Sequence, residues 1–302
     1  MSKLFYSHGK LLLTGEYAVL RGAKSLAIPC KKGQILIVKD DNSEHLVWKS
    51  FDQNDLLWFE IKFKLPSLEI EETTDSKVAL RLKEILISAK NKNSSFLNRG
   101  AQVEVYLEFD RGWGLGSSST LISNIANWAN VNPYELLENS FGGSGYDLAC
   151  AQASGPICFT RNKYTPKIEG VSFYPPFSKK LFFVYLNQKQ SSLKAIQTFK
   201  IDALTKDFIN KINKITEDII GCRSQEKFNL LLLEHEALLA SILNKTTVQK
   251  LYFKDFKGVV KSLGAWGGDF VLASGDNTTI KYFKDKGFQT IIPFEEMIYK
   301  NH

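Results

Sequence analysis

No stretch of the 302 residues approaches the roughly 18 apolar side chains needed for a membrane-spanning helix. The N-terminus, Met1 to Lys10, is broken by Ser7, His8 and Lys10 too early for a secretory signal. Cysteine is scarce. Cys30, Cys150, Cys158 and Cys222 form no Cys-x-x-Cys pair, and with only four histidines they make no zinc-like cluster. Reduced, buried thiols in a cytoplasmic protein are expected. Internal repeats and low-complexity tracts are also missing, so solenoids and long disorder are not expected. The charge excess is small. The 39 Lys and Arg against 32 Asp and Glu leave +7, scattered along the chain with no aromatic-basic recognition motif. That balance suits handling of anionic small molecules better than nucleic-acid binding.

What is present is a large potential core, 44% hydrophobic and 24% charged, enough for one large domain or two ordinary ones. Leu4 to Thr14, Gln34 to Val38, His45 to Trp48 and Leu56 to Phe63 read as strands. The polar Asp40-Asp41-Asn42-Ser43 predicts a hairpin turn. Val78, Leu82, Ile85 and Leu86 share one helical face over 75–90, with Asp75 or Ser76 as cap. Ala101 to Phe109 alternates as a half-buried strand, and Ser119 to Asn130 returns to helical spacing. A short helix is expected from Pro133 to Ser140, another over Ala149 to Ala153, and a strand over Pro156 to Thr160. Pro166, Pro175 and Pro176 mark a boundary over 163–176. Beyond it come the strand Leu181 to Leu186, two amphipathic helices carrying Phe208 to Ile219 and Phe228 to Ile242, and the strand Phe270 to Ala273. The mixture predicts a two-domain α+β fold.

Four segments carry chemistry. Arg111 to Thr120 places Gly112, Gly114 and Gly116 between a strand and a helix. Such glycines let backbone N–H groups approach an anion, and the helix N-terminus adds free donors. The Gly-Lys-Ser/Thr ending of a Walker A loop is absent. The same pattern also serves a helix entry with no ligand. In Ser7 to Leu20, Lys10 and Glu16 are charges inside an apolar run, and buried charges are paired or functional. A plain edge strand with Lys10 reaching solvent is the alternative. In Gly143 to Gly155, Asp147 follows a glycine turn, where it can cap a helix or orient a hydroxyl nucleophile. Lys261 to Phe270 is a glycine turn before a strand. Trp113 and Trp266 each interrupt a glycine turn, and one or the other is expected near bound nucleotide or substrate, with a packing aromatic as the alternative.

In this order the four segments resemble the GHMP small-molecule kinases, the superfamily of galactokinase, homoserine kinase, mevalonate kinase and phosphomevalonate kinase. The resemblance spans Ser7 to about Ala273. It implies an N-terminal ribosomal-protein-like α/β domain over 1–165, which binds ATP, and a C-terminal ferredoxin-like domain over 166–302. It implies that Lys10 and Asp147 are catalytic. Gly114, Leu115, Gly116, Ser117, Ser118 and Ser119 would form the ATP phosphate loop. Glu16, Gly264, Ala265, Gly267 and Gly268 would lie on the substrate side. Mg²⁺ would be held by Ser118 and a glutamate, with Glu135 and Glu138 nearest and Glu138 taken as the ligand. Trp266 departs from the family pattern by replacing the middle glycine of the late turn, and Ser119-Thr120 replaces its alanines. Tyr17 and Asp269 resemble phosphomevalonate kinase more than mevalonate kinase. Arg21, Lys24, Arg111 and Arg161 are possible donors to a substrate phosphate. The expected protein is a cytoplasmic monomer or homodimer acting on a mevalonate-pathway small molecule, with no nucleic-acid or membrane partner. A diphosphomevalonate decarboxylase-like enzyme and a non-catalytic ligand sensor on the same fold are the alternatives.

Overall fold

The computed structural model describes residues 2–140, 142–162, 165–188, 195, 199 and 201–300. It is a mixed α/β structure whose chain divides into two compact units. Residues 1–9, 32–111 and 115–152 form the first, and 10–31, 112–114 and 153–302 the second. Strands β1 (Ser2–Leu12) and β2 (Ser25–Asp40) each begin in one unit and end in the other, so the units are discontinuous in sequence.

In the first unit, β3 (His45–Phe51), β4 (Leu57–Lys64), β5 (Glu69–Thr73) and β6 (Ala101–Leu107) join the C-terminal half of β2 in the order β5-β4-β3-β6-β2. Every second residue of β3 and β6 is buried, as a sheet covered on one face requires. The cover is α1 (Ser76–Lys92), α2 (Ser117–Ala129) and α3 (Pro133–Ser140), whose Leu82, Leu86, Ile122, Ile125 and Leu136 meet Trp48, Phe59 and Phe63 in one core. Asp75 caps α1, accepting from the Lys77 and Val78 N–H groups.

The hairpin expected at Asp40–Ser43 does not form. β6 lies between the two strands, antiparallel to β2 and parallel to β3. The turn is instead pinned from outside: the Asp41 N–H donates to the Gly100 carbonyl, and the Gly100 N–H to the Ser43 carbonyl. The Val103, Val105 and Leu107 face of β6 is buried there, and that burial outweighs the local preference for pairing sequence neighbours.

In the second unit, β9 (Leu181–Tyr185), β10 (Val259–Ser262), β11 (Phe270–Ser274) and β12 (Ile291–Pro293) make an antiparallel sheet in the order β10-β11-β9-β12. All residues of β10 and β11 are buried, which explains their unbroken runs. Helices α5 (Lys206–Ile220) and α6 (Gln225–Leu243) start at Thr205 and Ser224, whose side chains accept from the Phe208 and Lys227 N–H groups. Phe208, Ile212 and Leu239 from these helices pack with Tyr17, Ala18 and Trp266. The N-terminal half of β2 pairs with β7 (Ile157–Thr160), which pairs with β8 (Lys167–Gly170). Of the proline-bearing boundary expected over 163–176, residues 163 and 164 lie outside the described residues.

Candidate active site

The glycine segment crosses from one unit to the other between Gly114 and Leu115. Gly114 (φ 66°) and Gly116 (φ 90°) both take left-handed backbone, open to glycine at no cost and strained for any other L residue. Gly116 is the N-cap of α2 and supplies no side-chain acceptor, so the first N–H groups of that helix are not capped by the residue before it. The helix starts at Ser117, two residues ahead of the expected Ser119, which puts all three serines in its first turn. They are not equivalent. Ser118 is exposed and Ser117 half-buried, while Ser119 is buried and its hydroxyl donates to the Gly116 carbonyl. A loop of this shape fits phosphate oxygens: left-handed glycines, an uncapped helix start and an exposed hydroxyl.

The buried side of α2 is unusually polar. The Ser7 hydroxyl donates to Asn124 Oδ1 at 2.7 Å, and Gln152 Nε2 donates to Ser7 and Ser123. Asn124 Nδ2 donates to the Gln34 carbonyl. These bonds satisfy groups that would otherwise be costly to bury, and they fix the helix to β1 and β2. Sequence reasoning missed them, although Ser119, Thr120, Ser123 and Asn124 on the inner face of a helix were a legible signal.

Asp147 belongs to the first unit, in α4 (Tyr146–Ala151), which starts three residues earlier than expected. The N-cap position is Gly145 (φ 86°), which has no side chain to cap the helix, and Asp147 in the first turn accepts from the Leu148 N–H through Oδ1 at 3.2 Å, so it has a local helix-start role as well. The half-buried carboxylate lies near Tyr134, whose phenol is raised by burial first and by Asp147 second. Glu138 is exposed on α3, and Glu135 pairs with Lys92 at 2.5 Å. Among the described residues there is no group of three or more His, Cys, Asp or Glu able to hold a metal. Ser118 and Glu138 each present an exposed oxygen donor of the hard type that Mg²⁺ takes.

In the second unit, the Lys10 ammonium donates to the Gly114 carbonyl at 2.9 Å, tying the first motif to the glycine segment. The Gly114 backbone lies against the Asp269 carboxylate so closely that a Cβ would collide with it. Trp113 packs edge-on against Phe270, with ring centroids 5.5 Å apart. The Tyr17 hydroxyl donates to the Ala265 carbonyl at 2.9 Å, joining the first motif to the late turn of Gly264, Ala265, Gly267 and Gly268. Trp266 (φ 67°) is buried in that turn, and its indole N–H donates to Glu236 Oε1 at 2.9 Å.

Glu16 is fully buried, with Oε1 2.5 Å from Lys261 Nζ and Oε2 3.4 Å from His235 Nε2. Burial raises its carboxyl to about 7, against the opposing pull of Lys261. Lys261, His235 and Glu236 were not singled out from sequence. The available signal was the one that flagged Glu16: a charge inside an apolar run, here Val259-Val260-Lys261 and the leucine-rich α6. The four cations considered for a substrate phosphate all have protein contacts. Arg21 bonds Asp202, Lys24 bonds Glu217, Arg161 bonds the Leu20 carbonyl, and Arg111 lies over Trp58.

No protein-family model matches the chain, and no curated protein matches it in sequence. Solved structures do match. Streptococcus pneumoniae phosphomevalonate kinase, solved with phosphomevalonate and AMPPNP, is 17% identical over 96% of this chain and 99% of its own, with TM-score 0.69. A D-glycero-D-manno-heptose 1-phosphate kinase from Bacteroides thetaiotaomicron is 14% identical over 100% and 97%, with TM-score 0.68. Lactococcus lactis galactokinase, solved with galactose, is 15% identical over 94% and 88%, with TM-score 0.66. These are GHMP kinases, and the chain has the GHMP kinase fold over nearly its whole length. Among the described residues no helix is long and apolar enough to cross a membrane.

Proposed function

We propose that the chain is an ATP-dependent small-molecule kinase. The observation that carries this is the strand, left-handed glycine loop and uncapped helix start from β6 to α2, set in a fold shared with sugar and mevalonate-pathway kinases. In this reading the Gly114 to Ser119 segment holds the nucleotide phosphates through backbone N–H groups. Ser118 and Glu138 are the proposed protein ligands of Mg²⁺, which when bound neutralises charge on the phosphates. Phosphoryl transfer depends on positioning and charge neutralisation. Asp147 orients or deprotonates the acceptor group. Lys10, its ammonium already fixed on the Gly114 carbonyl, offsets negative charge on the transferred group. The γ-phosphorus gains a bond to the acceptor oxygen and loses its bond to the β-phosphate oxygen, leaving ADP.

The proposed acceptor is a mevalonate-pathway intermediate, phosphomevalonate ahead of mevalonate, on the strength of Tyr17 and Asp269. Glu16 and the late turn, Gly264 to Gly268, are proposed to shape the acceptor side. The reading includes a ribosomal-protein-like segment over 1–165, a ferredoxin-like segment over 166–302, and a cytoplasmic monomer or homodimer. The antiparallel sheet of β9 to β12 with its helices supports the second segment. The test is ATP consumption with mevalonate, phosphomevalonate, homoserine and sugars. Turnover with phosphomevalonate supports the full reading, and turnover with another acceptor supports the kinase alone. ATP binding with no turnover on any acceptor would favour a ligand sensor, a reading that Trp266 in the late turn keeps open.

A further inference from the structure

Two consecutive residues of α6 face two different loops. Neighbours on a helix point about 100° apart, and His235 and Glu236 use that divergence. His235 Nε2 accepts from the Gly15 N–H at 3.0 Å, which fixes its proton on Nδ1. Glu236 Oε1 accepts from the Trp266 indole in the late turn. Lys261, at the end of β10 and just before that turn, reaches the Glu16 carboxylate and the Ser262 carbonyl, the latter at 2.8 Å. The Tyr17 hydroxyl closes the circuit on Ala265. All of these groups lie in the second unit, and Glu16, His235, Glu236, Lys261 and Trp266 are each at most 3% exposed. Both turns carry strain at a non-glycine residue of positive φ, Tyr17 (60°) in the first and Trp266 (67°) in the late turn. A buried charged network is poor evidence of stabilisation, because apolar residues would pack there at lower cost. What it supplies is one defined geometry.

We propose that His235, Glu236 and Lys261 are positioning residues that hold the Gly15–Tyr17 turn and the late glycine turn as one rigid frame. For what the frame serves, the acceptor side, this rests on the kinase reading. The frame itself does not.

Amide hydrogen exchange on the full chain tests it. His235→Leu and Lys261→Met should speed exchange about tenfold or more in peptides covering both 14–20 and 263–268, with the rest of the chain unchanged. His235→Gln keeps an acceptor for the Gly15 N–H and should stay close to wild type. If Lys261→Met does not fold, Glu16→Gln with Lys261→Met removes the charge that the single variant strands on Glu16 and should fold with both turns loosened. Loosening of only the turn nearest the substitution, or equal behaviour of the Leu and Gln variants, overturns the proposal. With an acceptor found in the ATP-consumption screen, the same variants should raise the acceptor KM and lower kcat while leaving the ATP KM unchanged. An equal rise in both KM values would overturn the acceptor-side role. If no acceptor is turned over, the kinase reading falls while the exchange result still decides the frame.

Discussion

Asp147 shows how a single position separates structure from chemistry. Asn keeps an oxygen that can accept from the Leu148 N–H as Asp147 Oδ1 does, so Asp147→Asn removes a charge while sparing that first-turn bond. It should lower kcat by about 10²-fold or more with little change in Tm, the scale of a positioned acid-base group. Lys10→Met should lower kcat similarly. An Asp147→Asn protein as active as wild type would refute its assignment. Glu16 makes a different prediction, one of stability. Its carboxyl titrates near 7 in the folded protein and near 4.5 in the unfolded chain. Between those values the folded protein holds a proton that the unfolded chain has released, so stability falls as pH rises from 4.5 to 7. The interval corresponds to on the order of 3 kcal/mol. Surface carboxylates such as Asp41 and Asp276, lowered by hydrogen bonds from Ser43 and Thr278, act in the opposite direction, losing their contribution as pH falls below their usual range. Buried His235, held well below its ordinary range by desolvation, works against Glu16 by losing its contribution as pH falls below about 6.5. The Glu16 effect is therefore read as a difference: Glu16→Gln with Lys261→Met should lose less stability than the wild type as pH rises from 4.5 to 7.

At the level of elements, the loop before α2 gives the sharpest test. Gly116→Ala forces a Cβ onto left-handed backbone at about 1–2 kcal/mol. It should also weaken ATP binding by more than the loss of stability explains. Ser118→Ala touches an exposed hydroxyl, so Tm should hold while Mg²⁺-dependent turnover falls; unchanged Mg²⁺ dependence would defeat the metal assignment. Elements whose signal is local were legible in sequence. The period of α1, the alternation of β6, and the leucine and isoleucine faces of α5 and α6 all appear where expected. Elements and pairings that depend on distant partners were not. The parallel insertion of β6 beside β3 cannot be read from a turn at 40–43. The short β12 is only three residues, held by β9. The candidate site divides the same way. Glycines and serines announce the loop, whereas Lys261 and His235 gain meaning only from Glu16 and Gly15, more than two hundred residues earlier.

Across the whole molecule, the discontinuous units set what can be cut. Residues 10–31 and 153–165 cluster with the C-terminal part of the chain. A fragment of residues 1–165 keeps the core of the first unit but should melt less sharply and at lower temperature by circular dichroism, because 10–31 and 153–165 lose the residues they cluster with. A fragment that melts as sharply as the intact protein would show that residues 10–31 and 153–165 need no C-terminal partners. The pairing of Glu16 with Lys261, 245 positions apart, also has a meaning in time. At ribosomal speed the lysine emerges roughly 10–50 s after the glutamate. Until then Glu16 has no Lys261 to pair with, and His235, which accepts from the Gly15 N–H, is itself made only shortly before. The Gly15–Tyr17 turn, in the same segment as the proposed catalytic Lys10, is thus completed only when residues more than two hundred positions later have been made.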